Sequence, residues 1–176
     1  GYKREPIQEY FGEKFGTRTI RYVVQKEKTG TAKALQLCRR FIKSNERFLL
    51  LYADDLHDKN CIEVCLKIER ALLVHQMKDP RQFGVVVVDK EWRILDIEEK
   101  PKHPKSNLAV IGVYVLDGHI FKYKPDKHES GEYFLTTMIE QWLREYPVYA
   151  VKTKFWHPIG YPRDLKKAHV ILKKQK

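Results

Sequence analysis

The chain has 176 residues; 43% are hydrophobic and 12% aromatic, and 34 Lys and Arg against 23 Asp and Glu give a net charge of +11. This length suits one well-buried domain over residues 1–176 and excludes a large multidomain protein, while the apolar content excludes a disordered chain. The excess of basic residues favours anionic partners such as phosphates, nucleotides or nucleic acid.

Hydrophobic periodicity predicts helices and strands in alternation. In the first half, helical spacing at 3–11, 31–42 and 61–72 alternates with a β-rich run at 20–25 and a continuous apolar run at 48–53, which predicts a strand buried on both faces. The second half has β-rich runs with short connections at 73–78, 84–89, 93–99 and 109–116, then an amphipathic helix at 132–146, a strand at 148–155 and a closing helix at 163–173. This order predicts an α/β fold with a mixed, mainly parallel sheet flanked by helices.

Polar groups follow several of the predicted strands. In a parallel sheet, ligands collect outside the carboxyl ends of the strands, so these groups are candidates for one shared cleft. The groups are Gln25 with Gly30 and Thr31, Asp54 with Asp55, Glu99 with Lys100, and the segment from Trp156 to Gly160.

Each group allows a functional and a purely structural interpretation. Asp54 ends an apolar run, where a carboxylate can bind Mg²⁺ together with phosphate oxygens and water, or can simply end a strand or cap a helix. Gly30 and Thr31 precede a helix whose first N–H groups can face a phosphate or ribose, or they form a turn and a cap. Glu99 beside Lys100 can bind a hydroxyl and a phosphate, or form a salt-bridged hairpin edge.

Several protein classes are disfavoured. No apolar run approaches the roughly 18 residues of a membrane helix, so we expect a soluble protein with no membrane partner. Cys38, Cys61 and Cys65 form no disulfide framework and fit a reducing, cytoplasmic compartment. The chain contains neither a G-x-G-x-x-G motif nor a P-loop, the commonest nucleotide-binding motifs.

The order of the motifs is more specific than any one of them. LLLYADD, RQFGVVVVD, EEKPKHPKSNLAVIGVYVLD, GEYFLTTMIEQWL and FWHPIGYPRDL resemble, in this order, the sugar nucleotidyltransferase family of glucose-1-phosphate thymidylyltransferases, uridylyltransferases and mannose-1-phosphate guanylyltransferases. The resemblance runs from Gly1 to about Leu165 and implies a Rossmann-like fold of the nucleotide-diphospho-sugar transferase type. It also implies transfer of a nucleotidyl group from a nucleoside triphosphate to a sugar 1-phosphate, giving an NDP-sugar and pyrophosphate, with Mg²⁺ as cofactor.

The resemblance assigns the nucleotide and metal sites to the first half of the chain. Gln25 and Gly30 would contact the nucleobase, with Thr31 in the same nucleotide-binding loop. Asp54 would be a ligand of the Mg²⁺ ion.

The sugar phosphate is assigned to the second half. Lys100 would bind the sugar phosphate and act as the catalytic cation, and Glu99 would bind sugar hydroxyls. The backbone of Gly84 would approach the sugar, and the pocket would be completed by Asn107, Val110 and Tyr114.

Two departures from the family pattern leave a second function open. The family opens with a strand and a Gly-rich loop ending in Thr-Arg, with a Lys-Pro further on; this sequence opens with GYKREP, so we expect an N-terminally incomplete domain. Where the family reads Trp-x-Asp-x-Gly, Pro158 occupies the position of the metal-binding Asp. A non-catalytic sugar-nucleotide-binding or regulatory homologue is therefore the alternative, and self-association is left open. Nucleic-acid binding is disfavoured because no RNA- or DNA-binding motif accompanies the basic charge.

Overall fold

The computed structural model describes Gly1 and residues 3–174. The first half comprises α1 (Arg4–Phe11), β1 (Lys14–Phe15), β2 (Arg18–Thr19), α2 (Thr31–Leu37), a 3₁₀ turn (Arg39–Phe41), β3 (Arg47–Leu51), β4 (Asp55–His57) and α3 (Lys59–Lys67). The second half comprises β5 (Ala71–Gln76), β6 (Gly84–Val88), β7 (Ile94–Glu99), β8 (Leu108–Asp117), a 3₁₀ helix (Gly118–Lys122), α4 (Leu135–Trp142), β9 (Tyr149–Thr153), β10 (Trp156–Pro158) and α5 (Pro162–Lys174).

The central sheet is organised around β8. Its strand order is β7-β6-β8-β5-β9, and β3 also pairs with β8. β5 follows β8 along most of its length, so β3 and β6 share the other edge of β8. β6 pairs near Leu108 and Ala109, whereas β3 pairs with the far half, from Val113 to Asp117.

The α/β class and the mixed sheet are confirmed, but the expectation that parallel pairs predominate is wrong. Among the strand pairs of the described chain, β5 with β9 is parallel, and the other pairs of this sheet are antiparallel. The connection between β6 and β7 is short and reverses chain direction, whereas a parallel pair needs a crossover of about a dozen residues or more. The antiparallel pairs that β8 makes join strands that are not consecutive in the chain, so tertiary packing sets their direction.

Apolar layers cover both faces of the sheet. Leu72 and Val74 of β5 pack into the larger core cluster together with residues of α2 and α4, including the fully buried Trp142. The alternate residues Ala71 and Leu73 pack into a second cluster with α3. α3 begins where the Asp58 side chain accepts a hydrogen bond from the Asn60 N–H at 2.9 Å. Helices on both faces are therefore needed to bury a sheet that is apolar on both sides.

Two predicted strands differ from the structure. Residues 20–25 form no strand, because no described strand pairs with their backbone groups. The apolar run at 48–53 does form a strand, β3, but its central residues are half-buried and the Leu51 side chain is 47% exposed. β8 is the one described strand that pairs with β3, so β3 is less enclosed than its composition predicts.

None of the described helices is long and apolar enough to cross a membrane.

Candidate functional site

Six of the ten residues assigned to a site from the sequence line one cavity. The cavity has a volume of about 180 Å³ and lies between the start of β6, the end of β7, β8 and the first turn of α4. The antiparallel register of β6 and β7 sets Gly84 directly opposite Glu99, so the two meet at the cavity wall. The six residues are Thr31, Gly84, Glu99, Lys100, Val110 and Tyr114.

Glu99 is a partly buried carboxylate at the end of β7. Its Oε2 accepts a hydrogen bond from Thr136 Oγ1 at 2.6 Å. Burial raises the pKa of Glu99 above its usual value, while the Thr136 hydroxyl and the charges of Lys100 and His128 act in the opposite direction. An ionised carboxylate is an acceptor only, so the Thr136 hydroxyl is the donor to the charged form of Glu99.

Lys100 has a constrained backbone. Its φ of 43° lies in the left-handed region, which is uncommon for a residue with a side chain, and its N–H donates to the Phe83 carbonyl at 3.0 Å. Such strain persists only where surrounding contacts enforce it, and it is frequent at functional sites. The Lys100 Nζ lies 4.2 Å from the centre of the Phe134 ring, a cation–π contact that holds the ammonium group at the cavity.

Gly84 lies where β6 meets α4. A Cβ at this position would lie 2.5 Å from Thr136 Cγ2 and 3.4 Å from Glu99 Oε2. The absence of a side chain therefore lets α4 pack closely against β6, a second reason for glycine besides the expected approach of a sugar.

Two tyrosines add hydroxyl groups to the cavity. The Tyr114 hydroxyl donates to the Tyr52 hydroxyl at 3.3 Å, and Thr31 lines the same cavity. Burial raises the pKa of both tyrosines, so both remain neutral hydroxyls at neutral pH. Tyr52 and Glu99 line the same cavity, and the charges of Glu99 and Asp54 both raise the pKa of Tyr52.

The loop from Gln25 to Thr31 is attached to the segment before α4. Gln25 Nε2 donates to the Gly30 carbonyl at 3.1 Å. Gly30 has a φ of 100°, and a Cβ there would lie 2.6 Å from the Tyr133 nitrogen, so only glycine fits. Thr31 Oγ1 accepts from the Leu135 N–H at 3.0 Å. Gln25 lines a separate cavity of about 450 Å³, and Thr31 lines the smaller one.

Asp54 occupies the turn between β3 and β4. Its side chain is exposed, and its carbonyl accepts from the Ile159 N–H at 3.0 Å. The neighbouring Asp55 accepts from Trp156 Nε1 at 2.9 Å, and burial raises the pKa of Asp55. β4 pairs with β10 so that Pro158 lies opposite Asp55. The position of the expected second carboxylate is thus next to this turn, and a proline occupies it.

The single exposed carboxylate of Asp54 limits the kind of metal site that this turn can form. No group of three His, Cys, Asp or Glu side chains within residues 1 and 3–174 is arranged to hold a metal ion. The imidazole of His157, the neighbour of Pro158, contacts the Asp164 carbonyl at 3.1 Å. Mg²⁺ commonly takes one or two carboxylates and completes its shell with substrate phosphates and water. Asp54 fits that arrangement as the single protein ligand.

Asn107 lies outside the cavity. Its side chain is exposed, and its carbonyl accepts from the Met77 N–H at 3.0 Å. Conversely, Tyr52 and Thr136 line the cavity although sequence reasoning missed them. The available signals were a tyrosine immediately before the acidic turn, and a threonine in the first turn of an amphipathic helix.

Comparison with known proteins identifies the family to which the chain is similar. The Nucleotidyl transferase family matches residues 1–175. The chain is 34% identical over 174 residues to the "Bifunctional protein GlmU" of Methanocaldococcus jannaschii, covering 97% of this chain and 41% of that protein. It is 33% identical over 164 residues to a "Bifunctional sugar-1-phosphate nucleotidylyltransferase/acetyltransferase" of Sulfurisphaera tokodaii, covering 90% of this chain and 39% of that protein. The chain thus spans about two fifths of the length of these relatives.

Two solved structures are similar in fold. A Bacillus anthracis protein described as a glucose-1-phosphate thymidylyltransferase, solved with a sucrose, superposes with a TM-score of 0.76 at 27% identity, over 95% of this chain and 71% of that one. A UDP-glucose pyrophosphorylase complexed with UDP-glucose superposes with a TM-score of 0.81 at 23% identity, over 100% of this chain and 79% of that one. The predicted resemblance to sugar nucleotidyltransferases is confirmed.

Proposed function

Because this chain belongs to the Nucleotidyl transferase family, we propose that it binds a sugar 1-phosphate beside a nucleoside triphosphate and transfers the nucleotidyl group to the sugar phosphate. The observation that carries the proposal is the meeting of Glu99 and Lys100 in one cavity with Gly84, Val110 and Tyr114. A carboxylate and an ammonium group side by side match the two ends of a sugar phosphate, its hydroxyls and its phosphate.

The proposed reaction needs no nucleophile from the protein. An anionic oxygen of the sugar phosphate forms a bond to the α-phosphorus of the triphosphate, the bond from that phosphorus to the oxygen bridging the β-phosphate breaks, and pyrophosphate leaves. Catalysis of such a step consists of alignment and of stabilising charge on the phosphates.

Each polar group of the cavity has a role in that alignment. Lys100 places a positive charge beside the sugar phosphate, and Glu99 accepts hydrogen bonds from sugar hydroxyls. Tyr52 and Tyr114 stay neutral and provide hydroxyl groups to the same pocket. Gln25 and the backbone at Gly30 are proposed to contact the nucleobase, since their loop adjoins the cavity through Thr31.

Asp54 is the residue proposed to hold Mg²⁺. When bound, the cation would neutralise charge on the triphosphate. Because Asp54 is a single exposed carboxylate, the phosphates and water would have to provide the remaining ligands of the cation.

The cysteines bear on the compartment in which the protein works. The chain's three described cysteines are free thiols, which supports the proposal of a reducing, cytoplasmic compartment.

Pro158 supports a second candidate, a non-catalytic protein that binds a sugar nucleotide. Proline has no metal-binding side chain, and it lies opposite Asp55 beside the proposed metal ligand. In this case, the cavity would retain its affinity for the sugar phosphate while the metal-dependent step would be lost.

One set of measurements separates the two candidates. The purified protein is incubated with MgCl₂, each nucleoside triphosphate in turn, and glucose 1-phosphate or mannose 1-phosphate, and pyrophosphate release is followed. Release equal to the NDP-sugar formed supports nucleotidyl transfer. Saturable binding of UDP-glucose by calorimetry with no pyrophosphate release supports the second candidate, and the absence of both binding and turnover refutes both.

A further inference from the structure

Thr136 connects two residues of the proposed sugar site. Its side chain is 5% exposed in the first turn of α4. The hydroxyl lies 2.6 Å from Glu99 Oε2, and the methyl group fills the space that a Cβ of Gly84 would need. Both ends of this small side chain therefore have a defined contact, which leaves it a single orientation.

We propose that Thr136 is a positioning residue that fixes the Glu99 carboxylate through Oε2, so that Oε1 faces the hydroxyls of the bound sugar. The inference rests on the proposed function and adds a residue to it. No hydrogen bond within the described chain involves Glu99 Oε1, whereas Oε2 has the hydroxyl partner. A glutamate has three rotatable side-chain bonds, so an unheld carboxylate would lose more conformational entropy on binding a sugar.

The surroundings make this single donor important for the charge of Glu99. Burial raises the pKa of Glu99 and favours its neutral form, and the Thr136 hydroxyl is the largest of the opposing influences. Removing the donor therefore raises the pKa further, and the ionised acceptor appears only at higher pH. The other groups that interact electrostatically with Glu99 are Lys100, His128 and Glu132, and the hydroxyls of Tyr52 and Tyr114.

Two substitutions separate the hydroxyl from the shape of the side chain. Thr136→Val keeps the volume and the methyl group that contacts Gly84 but removes the donor. Thr136→Ser keeps the donor but removes the methyl group, so it is the matched control. Thermal unfolding of each variant tests whether it folds; should the valine variant not fold, Thr136→Ala carries the same expectation.

The first readout needs no substrate. The Glu99 carboxylate is titrated by ¹³C NMR in the full chain, with its signal assigned by its absence in Glu99→Gln. We expect Thr136→Val to raise the titration midpoint by about one to two pH units, as the loss of a hydrogen bond to a charged group predicts, and Thr136→Ser to leave it within about half a unit.

The second readout uses glucose 1-phosphate as the probe in calorimetry between pH 5 and 8. We expect Thr136→Val to weaken binding about tenfold or more at pH 7, with a smaller loss at pH 8, and Thr136→Ser to weaken it less than about threefold. An unchanged midpoint in Thr136→Val, or equal effects of Val and Ser, overturns the role of Thr136. Failure of the unsubstituted protein to bind the probe, with the midpoint still raised in Thr136→Val, overturns instead the proposed function and its sugar hydroxyls.

Discussion

Substituting Gly84 by alanine tests how closely α4 packs against β6. The new Cβ would lie 2.5 Å from Thr136 Cγ2, whereas carbon atoms in contact are separated by about 3.5–4.0 Å, so the overlap is about 1 Å or more. α4 cannot easily move away, because Leu135, Met138 and Ile139 anchor it in the core. Gly84 has no positive φ, so alanine adds no backbone strain, and the overlap accounts for the cost.

The magnitude follows from two opposing contributions. Overpacking a well-filled core costs about 1–3 kcal/mol, while replacing glycine by alanine stiffens the unfolded chain and returns about 0.4–1 kcal/mol. We expect a net loss between about 0 and 2.6 kcal/mol, centred near about 1.3 kcal/mol, which for a chain of this size lowers Tm by up to about 10 °C. Urea unfolding followed by circular dichroism measures it as a lower midpoint with an unchanged slope.

A control and a double variant complete the test. Gly160→Ala introduces a Cβ with no atom within 4 Å, so we expect no loss of stability. Adding Thr136→Ser to Gly84→Ala removes the overlapping methyl group, so the pair should be less unstable than the sum of the single variants by about 1 kcal/mol. Additivity within about 0.5 kcal/mol, or equal stability of Gly84→Ala and Gly160→Ala, would refute the packing argument.

Three further predictions concern charged side chains. Lys100→Ala should weaken glucose 1-phosphate binding by about tenfold or more and UTP binding much less, because it removes a point charge matched to one phosphate. Calorimetry measures both affinities, with Lys102→Ala at the neighbouring exposed lysine as the control, and equal losses for both ligands would assign Lys100 another role. Burial raises the pKa of Glu99 above its usual 4.5, so ionised Glu99, and with it the affinity for sugar phosphate, should be lost as pH falls through the raised pKa. The stability of the fold should instead decrease as pH rises from 4.5 through the raised pKa, because the folded state holds the proton more tightly than the unfolded chain. An affinity that does not depend on pH, after correction for titration of the ligand itself, would contradict this. Asp117→Ala should cost up to about 3–5 kcal/mol in urea unfolding, because it removes the carboxylate that lies 2.6 Å from Nε of the buried Arg70 and leaves this guanidinium with the exposed Glu69, 2.9 Å from Nη2. A loss below about 1 kcal/mol would contradict the importance of this buried pair.

The local patterns of the sequence were reliable where each strand or helix depends mainly on its own residues. The β-rich runs at 84–89, 93–99 and 109–116 appear as β6, β7 and β8, and the amphipathic helix within 132–146 appears as α4. Glu99 and Lys100 were identified as a pair because they are adjacent in the chain and end a strand. Periodicity and composition are properties of a short segment, so they can be read before the fold is known.

Tertiary structure decided what depends on distant residues. The direction of strand pairing around β8, the lack of a partner for residues 20–25, and the partial exposure of β3 all depend on which segments meet, and no local pattern encodes that. The same holds for the site: Thr136 reaches Glu99 across 37 positions of sequence, and Pro158 faces Asp55 only because β10 pairs with β4. The sequence by itself determined which side chains carry charge at strand ends; packing of α4 and the antiparallel register determined which of them share a cavity, because these contacts form only when remote segments are brought together.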